Sequence, residues 1–307
     1  GSSFHKILPG YFFRYDKSGK AYNGSGCGND VATEREMVRK YIVDSVKFWA
    51  NEYNIKGFRF DLMALIDIET MNQVDAALNA IDPNIVLYGE PWAAGSTGIG
   101  SGDQASVNNA SRFTGIGMFS DRFRESAKGN NDGAGFGWVQ GGGNASELVR
   151  GLQGNILNTN NSIQQQVNYV TCHDNLALAD KLRTCGIIEA DLGKASVLAN
   201  GLVLTSEGIR FMHGGEEILR SKPIYENGIW TGEYSHNSYN LPDISNSLKW
   251  ENKIIYADAY NAYKDLVHIS TSQSAFHFSS NAVSSANYKI KLQTAETIVV
   301  EITTPSD

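Results

Sequence analysis

Three short strings, in a fixed order, carry the carboxylates best placed to do chemistry: Gly57-Phe58-Arg59-Phe60-Asp61, Leu87-Tyr88-Gly89-Glu90-Pro91-Trp92 and Tyr169-Val170-Thr171-Cys172-His173-Asp174-Asn175. Each closes an apolar, β-rich run with an acid. Residues 55–61, 85–90 and 167–174 read as buried parallel strands running into loops, with a helix at 67–80 between the first two. Acids therefore gather at strand C-termini. In a (β/α)8 barrel that end forms one bowl, into which neighbouring strands deliver side chains from rigid supports. Several carboxylates in one bowl suit hydrolysis of a glycosidic bond, which needs one acid protonated and another ionised beside the sugar ring. Taken singly, each string is more simply a helix cap or a turn; the set argues for chemistry. Arg59 and Asp61 stand two apart on a strand and project to the same side, where the cation keeps the carboxylate ionised and oriented, as a nucleophile requires.

The strings RFD, GEPW and HDN, in this order and spacing, resemble the second, third and fourth conserved regions of the α-amylase family (glycoside hydrolase family 13). GFRFDLM, LYGEPW and HDN resemble its type I pullulanase branch. Phe4-His5-Lys6-Ile7-Leu8-Pro9-Gly10-Tyr11, Asn23-Gly24-Ser25-Gly26-Cys27-Gly28-Asn29-Asp30, Thr205-Ser206-Glu207-Gly208-Ile209 and His236-Asn237-Ser238-Tyr239-Asn240 read like the same branch. The resemblance implies that Asp61 is the nucleophile of a covalent glycosyl-enzyme and Glu90 the general acid/base. It makes Asp174 the carboxylate that binds ring hydroxyls and stabilises the oxocarbenium-like transition state, with Arg59 and His173 assisting. Tyr88, Pro91 and Trp92 surround Glu90 with apolar groups, a setting that favours a protonated carboxyl by desolvation. Sugars stack their C–H faces on aromatic rings. Among Tyr88, Trp92, Trp230 and Tyr239, Trp92 and Tyr239 are the expected ligand contacts. Asn240, Asp243 and Asn246 fall in a loop where they would read glucose hydroxyls or simply form turns.

The implied activity is retaining hydrolysis of α-1,6-glucosidic links in pullulan and branched α-glucans. The alternatives are another α-glucan-acting enzyme of the same family, or a catalytically silent α-glucan-binding fragment. With 26 Lys+Arg against 33 Asp+Glu the formal charge is −7, which disfavours nucleic acid and anionic membranes as partners and suits a neutral α-glucan. No apolar run approaches the ~20 residues that span a bilayer. A soluble enzyme is expected, cytoplasmic or secreted from a bacterium. Cys27, Cys172 and Cys185 are odd in number, lack zinc spacing and read as free thiols. No cofactor is required and no metal ligand is assigned, although Asp- and Asn-rich loops leave calcium admissible. His173 suits hydrogen bonding to sugar better than metal, since no His recurs at i+3 or i+4 with a carboxylate.

The elements that must position these groups follow from periodicity. Helices are expected at 31–51, 67–80, 121–128, 189–204 and 252–268. Strands are expected at 55–61, 85–90, 113–119, 167–172 and 209–213, and an antiparallel pair at 288–292 and 297–303. Residues 129–143, rich in glycine, read as a flexible surface loop, because no Lys-Ser/Thr follows to make a phosphate cradle. The expected fold is α/β, of the (β/α)8 TIM-barrel type with only about strands 4 to 8. Residues 1–270 would form the C-terminal part of the catalytic barrel, and 271–307 the beginning of an all-β domain, the start of a C-terminal β-sandwich. The family's first conserved region has no counterpart here. The resemblance thus implies the C-terminal half of a longer enzyme, with the missing N-terminal half as its partner and two open sheet edges where that half would pair.

Overall fold

The computed structural model describes residues 2–113, 115–155 and 163–304. It divides into two compact units, Gly1–Phe119 with Thr159–Gln165, and Ser120–Asn158 with Gln166–Asp307.

The first unit contains α1 (Ser3–Ile7), α2 (Glu36–Tyr53), β1 (Gly57–Phe60), α3 (Ile68–Asn79), β2 (Val86–Gly89) and β3 (Ile116–Phe119). Parallel pairing sets Arg59 of β1 opposite Tyr88 of β2 and Phe60 opposite Gly89, and β2 pairs in turn with β3. Gly89 is required at this register. A Cβ there would stand 2.6 Å from the Phe60 carbonyl oxygen and 2.9 Å from the Met63 sulfur, so the two strand ends approach too closely for any side chain. Asp67 caps α3 by accepting from the Thr70 N–H at 2.9 Å, and Arg39 of α2 pairs with the same carboxylate at 2.9 Å, which locks the two helices together. Helix α2 begins at Glu36, five residues later than its apolar pattern suggests. Val31 is bridged to Phe13, and the Ala32 N–H donates to the Phe12 carbonyl at 2.9 Å, so that stretch is held in extended pairing.

The second unit contains α4 (Asp121–Lys128), α5 (Ala145–Leu152), β4 (Gln166–Asn168), α6 (Leu178–Thr184), α7 (Glu189–Leu204), β5 (Ile209–Arg210), β6 (Pro223–Glu226), β7 (Ile229–Tyr234), α8 (Asp243–Asn246), α9 (Asn252–Ile255), α10 (Ala257–Ser272), α11 (Asn281–Asn287), β8 (Tyr288–Gln293) and β9 (Ile298–Ile302). β4 and β5 pair in parallel, which brings the parallel strands among the described residues to the expected five. β8 and β9 form the expected antiparallel pair. Helix α10 packs on α7 around Tyr263, a fully buried ring whose hydroxyl meets Ser196 Oγ and Asn200 Nδ2, both at 2.8 Å.

Residues 129–143 form a surface loop, as expected, with one 3-10 turn at Trp138–Gln140, and the loop packs tightly, with Gly129 at φ +81° and a Cβ on Gly137 meeting backbone atoms of Gly129 and Ala127 at 2.2 and 2.5 Å. Buried Lys181 fastens it by donating to Asn130 Oδ1 at 2.8 Å and to the Gly133 and Gly135 carbonyls. The glycines there allow close backbone packing. Several further elements differ from those expected. The helix expected over 252–268 breaks at Tyr256 (φ −111°, ψ 40°), whose hydroxyl is drawn to Glu189 at 2.5 Å. Helices α5 and α6 were not expected. Five of the seven α6 residues are buried, which erases the amphipathic signature. The hairpin β6–β7 was also not expected, although its turn is legible in retrospect: Asn227 and Gly228, both at positive φ, link Glu226 to Ile229 in the manner of a type I′ turn.

Glu216 follows β5 and is entirely enclosed, accepting from Asn200 Nδ2 at 3.0 Å, from the His213 N–H at 3.2 Å and from the Thr171 hydroxyl. Burial pushes its carboxyl up to about 7, and pushes Glu207 to about 7 as well. Between the ordinary carboxyl range and about pH 7 the folded chain therefore keeps protons that the unfolded chain has released, so stability falls as pH rises through that window. Glu216→Gln should flatten the slope by up to ~3 kcal/mol over about 2.5 pH units. The amide can point its oxygen at Asn200 and its NH2 at the Thr171 hydroxyl. Denaturant unfolding across this pH range tests it. An unchanged slope in the variant would mean that Glu216 is ionised in the folded protein.

Candidate active site

Asp61 and Glu90 are the first residues beyond β1 and β2. The strand register that opposes Phe60 to Gly89 delivers both carboxylates to the same end of the sheet in the first unit. Arg59 lies between them. Its Nη1 donates to Asp61 Oδ1 at 2.7 Å and its Nη2 to Glu90 Oε1 at 2.6 Å, so one guanidinium holds two carboxylates. The guanidinium also lies over the Phe119 ring of β3, 5.7 Å from its centroid, and the Tyr88 ring meets Phe119 edge-on at 5.5 Å. Three adjacent strands thus contribute to fixing one cation.

The two acids differ sharply in exposure. The Asp61 side chain is 67% accessible and that of Glu90 11%. Glu90 is buried as expected, but its surroundings are not simply apolar. Besides Arg59 it accepts the backbone N–H of Leu62 at 2.8 Å. Leu62 adopts a left-handed conformation (φ 42°), rare for a branched, non-glycine residue. That turn, directly after Asp61, aims its N–H at the partner carboxylate, and the strain of about 1–3 kcal/mol is of the kind concentrated at working sites. Trp92 is half-buried, and its carbonyl accepts the Ala64 N–H at 3.3 Å.

Asp174 belongs to the second unit, in the turn after β4. Its side chain is 65% accessible and lies 3.5 Å from His173 Nε2, while His173 Nδ1 faces Cys172 Sγ at 3.3 Å. Asn175 is left-handed (φ 64°). Asp132, from the glycine-rich segment, accepts from Asn175 Nδ2 at 2.7 Å and from the Leu176 N–H at 3.2 Å. Lys222 donates to the carbonyls of His173, at 3.0 Å, and of Asn175. Neither residue was singled out from sequence, since Asp132 sits among glycines and Lys222 lies 47 residues beyond Asn175 in an unremarkable string. Tyr239 and Asn240 are exposed, Tyr239 by 84%. No hydrogen bond or ring contact among the described residues ties them to His173 or Asp174. Asn246 braces their segment by donating to the Ser238 and Leu241 carbonyls at 2.8 and 2.9 Å, a turn-forming role. Trp230, on β7, is 49% exposed and donates to the Glu233 carbonyl at 3.3 Å.

The three cysteines are free, Cys27 exposed and Cys185 buried. Among the described residues no helix is long and apolar enough to cross a membrane, and no three His, Cys, Asp or Glu side chains gather to hold a metal ion.

No model of a protein family matches the chain. Curated relatives do. A pullulanase of Bacillus subtilis (strain 168) is 35% identical over 291 residues, covering 92% of this chain and 39% of that protein. The chloroplastic pullulanase 1 of Arabidopsis thaliana is 30% identical, over 81% of this chain and 33% of the plant protein. Among solved structures, the pullulanase from Bacillus acidopullulyticus gives a TM-score of 0.90 at 37% identity, covering 98% of this chain and 36% of that one. The pullulanase from Anoxybacillus sp. LM18-11, complexed with maltotriose, gives 0.88 at 36%, over 97% and 42%. The chain spans about two fifths or less of the length of these relatives. The carboxylate strings, the parallel α/β architecture that carries them and these likenesses agree: the chain belongs to the α-amylase family, in its type I pullulanase branch.

Proposed function

We propose that this chain carries the catalytic carboxylates of a retaining glycoside hydrolase that cleaves α-1,6-glucosidic links in pullulan and branched α-glucans. The observation that carries the reading is the single guanidinium shared by Asp61 and Glu90. Two carboxylates on one cation stand close together, in keeping with the roughly 5–5.5 Å of retaining enzymes, where no water fits between acid and nucleophile. Asp61, accessible and paired with a cation, attacks the anomeric carbon. Glu90, enclosed, gives its proton to the departing glycosidic oxygen, and the glycosyl–Asp61 ester forms as that bond breaks. Glu90 then takes a proton from water as the water attacks the anomeric carbon, which releases Asp61 and restores the acid. Asp174 and His173 hold ring hydroxyls, and Trp92 and Tyr239 offer stacking faces. The mechanism calls for no cofactor.

Ligands in solved relatives support an α-glucan: one is complexed with maltotriose, another with maltohexaose and α-cyclodextrin. Among the described residues β1 stands at the end of the strand order, a place that suits the addition of further parallel strands, as a partner segment of the same barrel would supply. The test is product analysis on pullulan with the protein as its gene encodes it. Maltotriose released as the α-anomer is expected. Cleavage at α-1,4 links would point to another amylase-family activity, and binding without products to a silent glucan-binding protein.

A further inference from the structure

We infer that Lys222 is a positioning residue for the proposed site: its buried ammonium, opposed by Asp132, fixes the turn that presents Asp174. This rests on the reading of Asp174 as a carboxylate that holds the sugar in the transition state. The carbonyls that Lys222 binds, those of His173 and Asn175, flank Asp174 on either side along the chain. Through the His173 carbonyl Lys222 fixes the peptide that enters Asp174, and through the Asn175 carbonyl it fixes the 175–176 peptide, so the two-residue turn that carries Asp174 is clamped at both ends. Asp132 completes the hold by taking the Asn175 side-chain amide and the Leu176 N–H. The turn needs this help, since Asn175 is left-handed and the Asp174 side chain, 65% exposed, is little constrained by its surroundings.

A lysine suits the position for a physical reason. Two carbonyls on opposite sides of a turn demand two donors from one atom, and an ammonium has three where a hydroxyl has one. Lys222 is 1% exposed, so its charge must be balanced within the fold. Asp180, fully buried, accepts the Lys222 backbone N–H at 2.7 Å and the Ser221 hydroxyl at 2.5 Å, while Asp132 and Asp174 add negative charge nearby and Arg220 opposes it. Lys222 is thereby anchored at its backbone and aimed at its tip. Asp132 is anchored through its own segment, whose neighbouring residues Asn130, Gly133 and Gly135 are held by Lys181.

A misplacement of about 1 Å in a group that acts in the transition state costs on the order of 100-fold in rate. Lys222→Met, of similar length and apolar, should therefore lower kcat about 100-fold with KM little changed. Asp174→Ala should cost much less in the Lys222→Met background than in the parent, because the carboxylate is already misdirected. A double-mutant cycle on kcat, with thermal unfolding of each variant, tests this. Sub-additive losses support the proposal. Additive losses, or a fall in rate that only follows a fall in Tm, overturn it and leave Lys222 a structural lysine. If Asp174→Ala alone leaves kcat unchanged, it is the reading of Asp174 that fails. Should Lys222→Met not fold, Asp132→Ala, at an exposed position, enters the same cycle with the same expected sub-additivity.

Discussion

Asp61→Asn leaves glucan binding in place and removes turnover, with a loss of several decades in kcat. The amide matches the carboxylate in shape and can still accept from Arg59 Nη1 through its oxygen, so the ground-state contacts of the site survive. What it lacks is the negative charge that makes the carboxylate oxygen attack the anomeric carbon and leaves a neutral glycosyl ester. Because the side chain is 67% accessible, loss of its ion pair should move stability by no more than about 0.5–1 kcal/mol. The measurements are kcat on pullulan, glucan affinity by calorimetry and the unfolding midpoint, taken on the same preparations. Near-parental hydrolysis by the variant would remove Asp61 from the mechanism. Lost binding together with a lowered midpoint would make it a structural residue.

Glu90→Gln should show a different pattern, and a cost in stability as well. A natural glucan leaves as a poor alkoxide and needs the proton that Glu90 supplies, whereas an activated aryl glucoside does not. Turnover of the glucan should fall by ~10²–10⁴-fold, the usual worth of a positioned acid, and cleavage of the aryl substrate should fall far less. The carboxylate accepts from Arg59 on one oxygen and from the Leu62 N–H on the other. An amide can satisfy only one of these donors. The other then faces an NH2 group in a nearly enclosed site, at a cost of about 1–3 kcal/mol. Rates must therefore be compared below the variant's unfolding transition. Equal slowing of both substrates would assign Glu90 to binding or structure instead of proton transfer.

Strong local signals carried the reading of the sequence. Helices α4 and α7 fall at their expected residues because an N-cap or a long apolar run marks them without reference to anything distant. Strands β1 and β2 are shorter than their apolar runs, yet their carboxylates stand where the strings place them, since a strand's alternation is a property of neighbouring residues. Helices α5 and α6 escaped notice for the opposite reason. They are short, and α6 is enclosed on most sides, so burial by other elements shapes its composition more than its own period does.

The sequence by itself determined which carboxylates end which strands, the order in which they occur, and that Arg59 shares a face with Asp61, all consequences of contacts one or two residues apart. Only the tertiary structure decided that the same guanidinium also reaches Glu90, because that contact depends on the register setting Arg59 beside Tyr88 and on a glycine narrow enough to let β1 and β2 converge. It alone decided that the glycine-rich loop packs its backbone tightly on itself. It alone brought Lys222 and Asp132 to the turn around Asp174 from positions 47 and 43 residues away from Asn175. Nothing in local sequence encodes such pairings. They arise when a buried carbonyl or N–H, cut off from water, must find a partner anywhere along the folded chain.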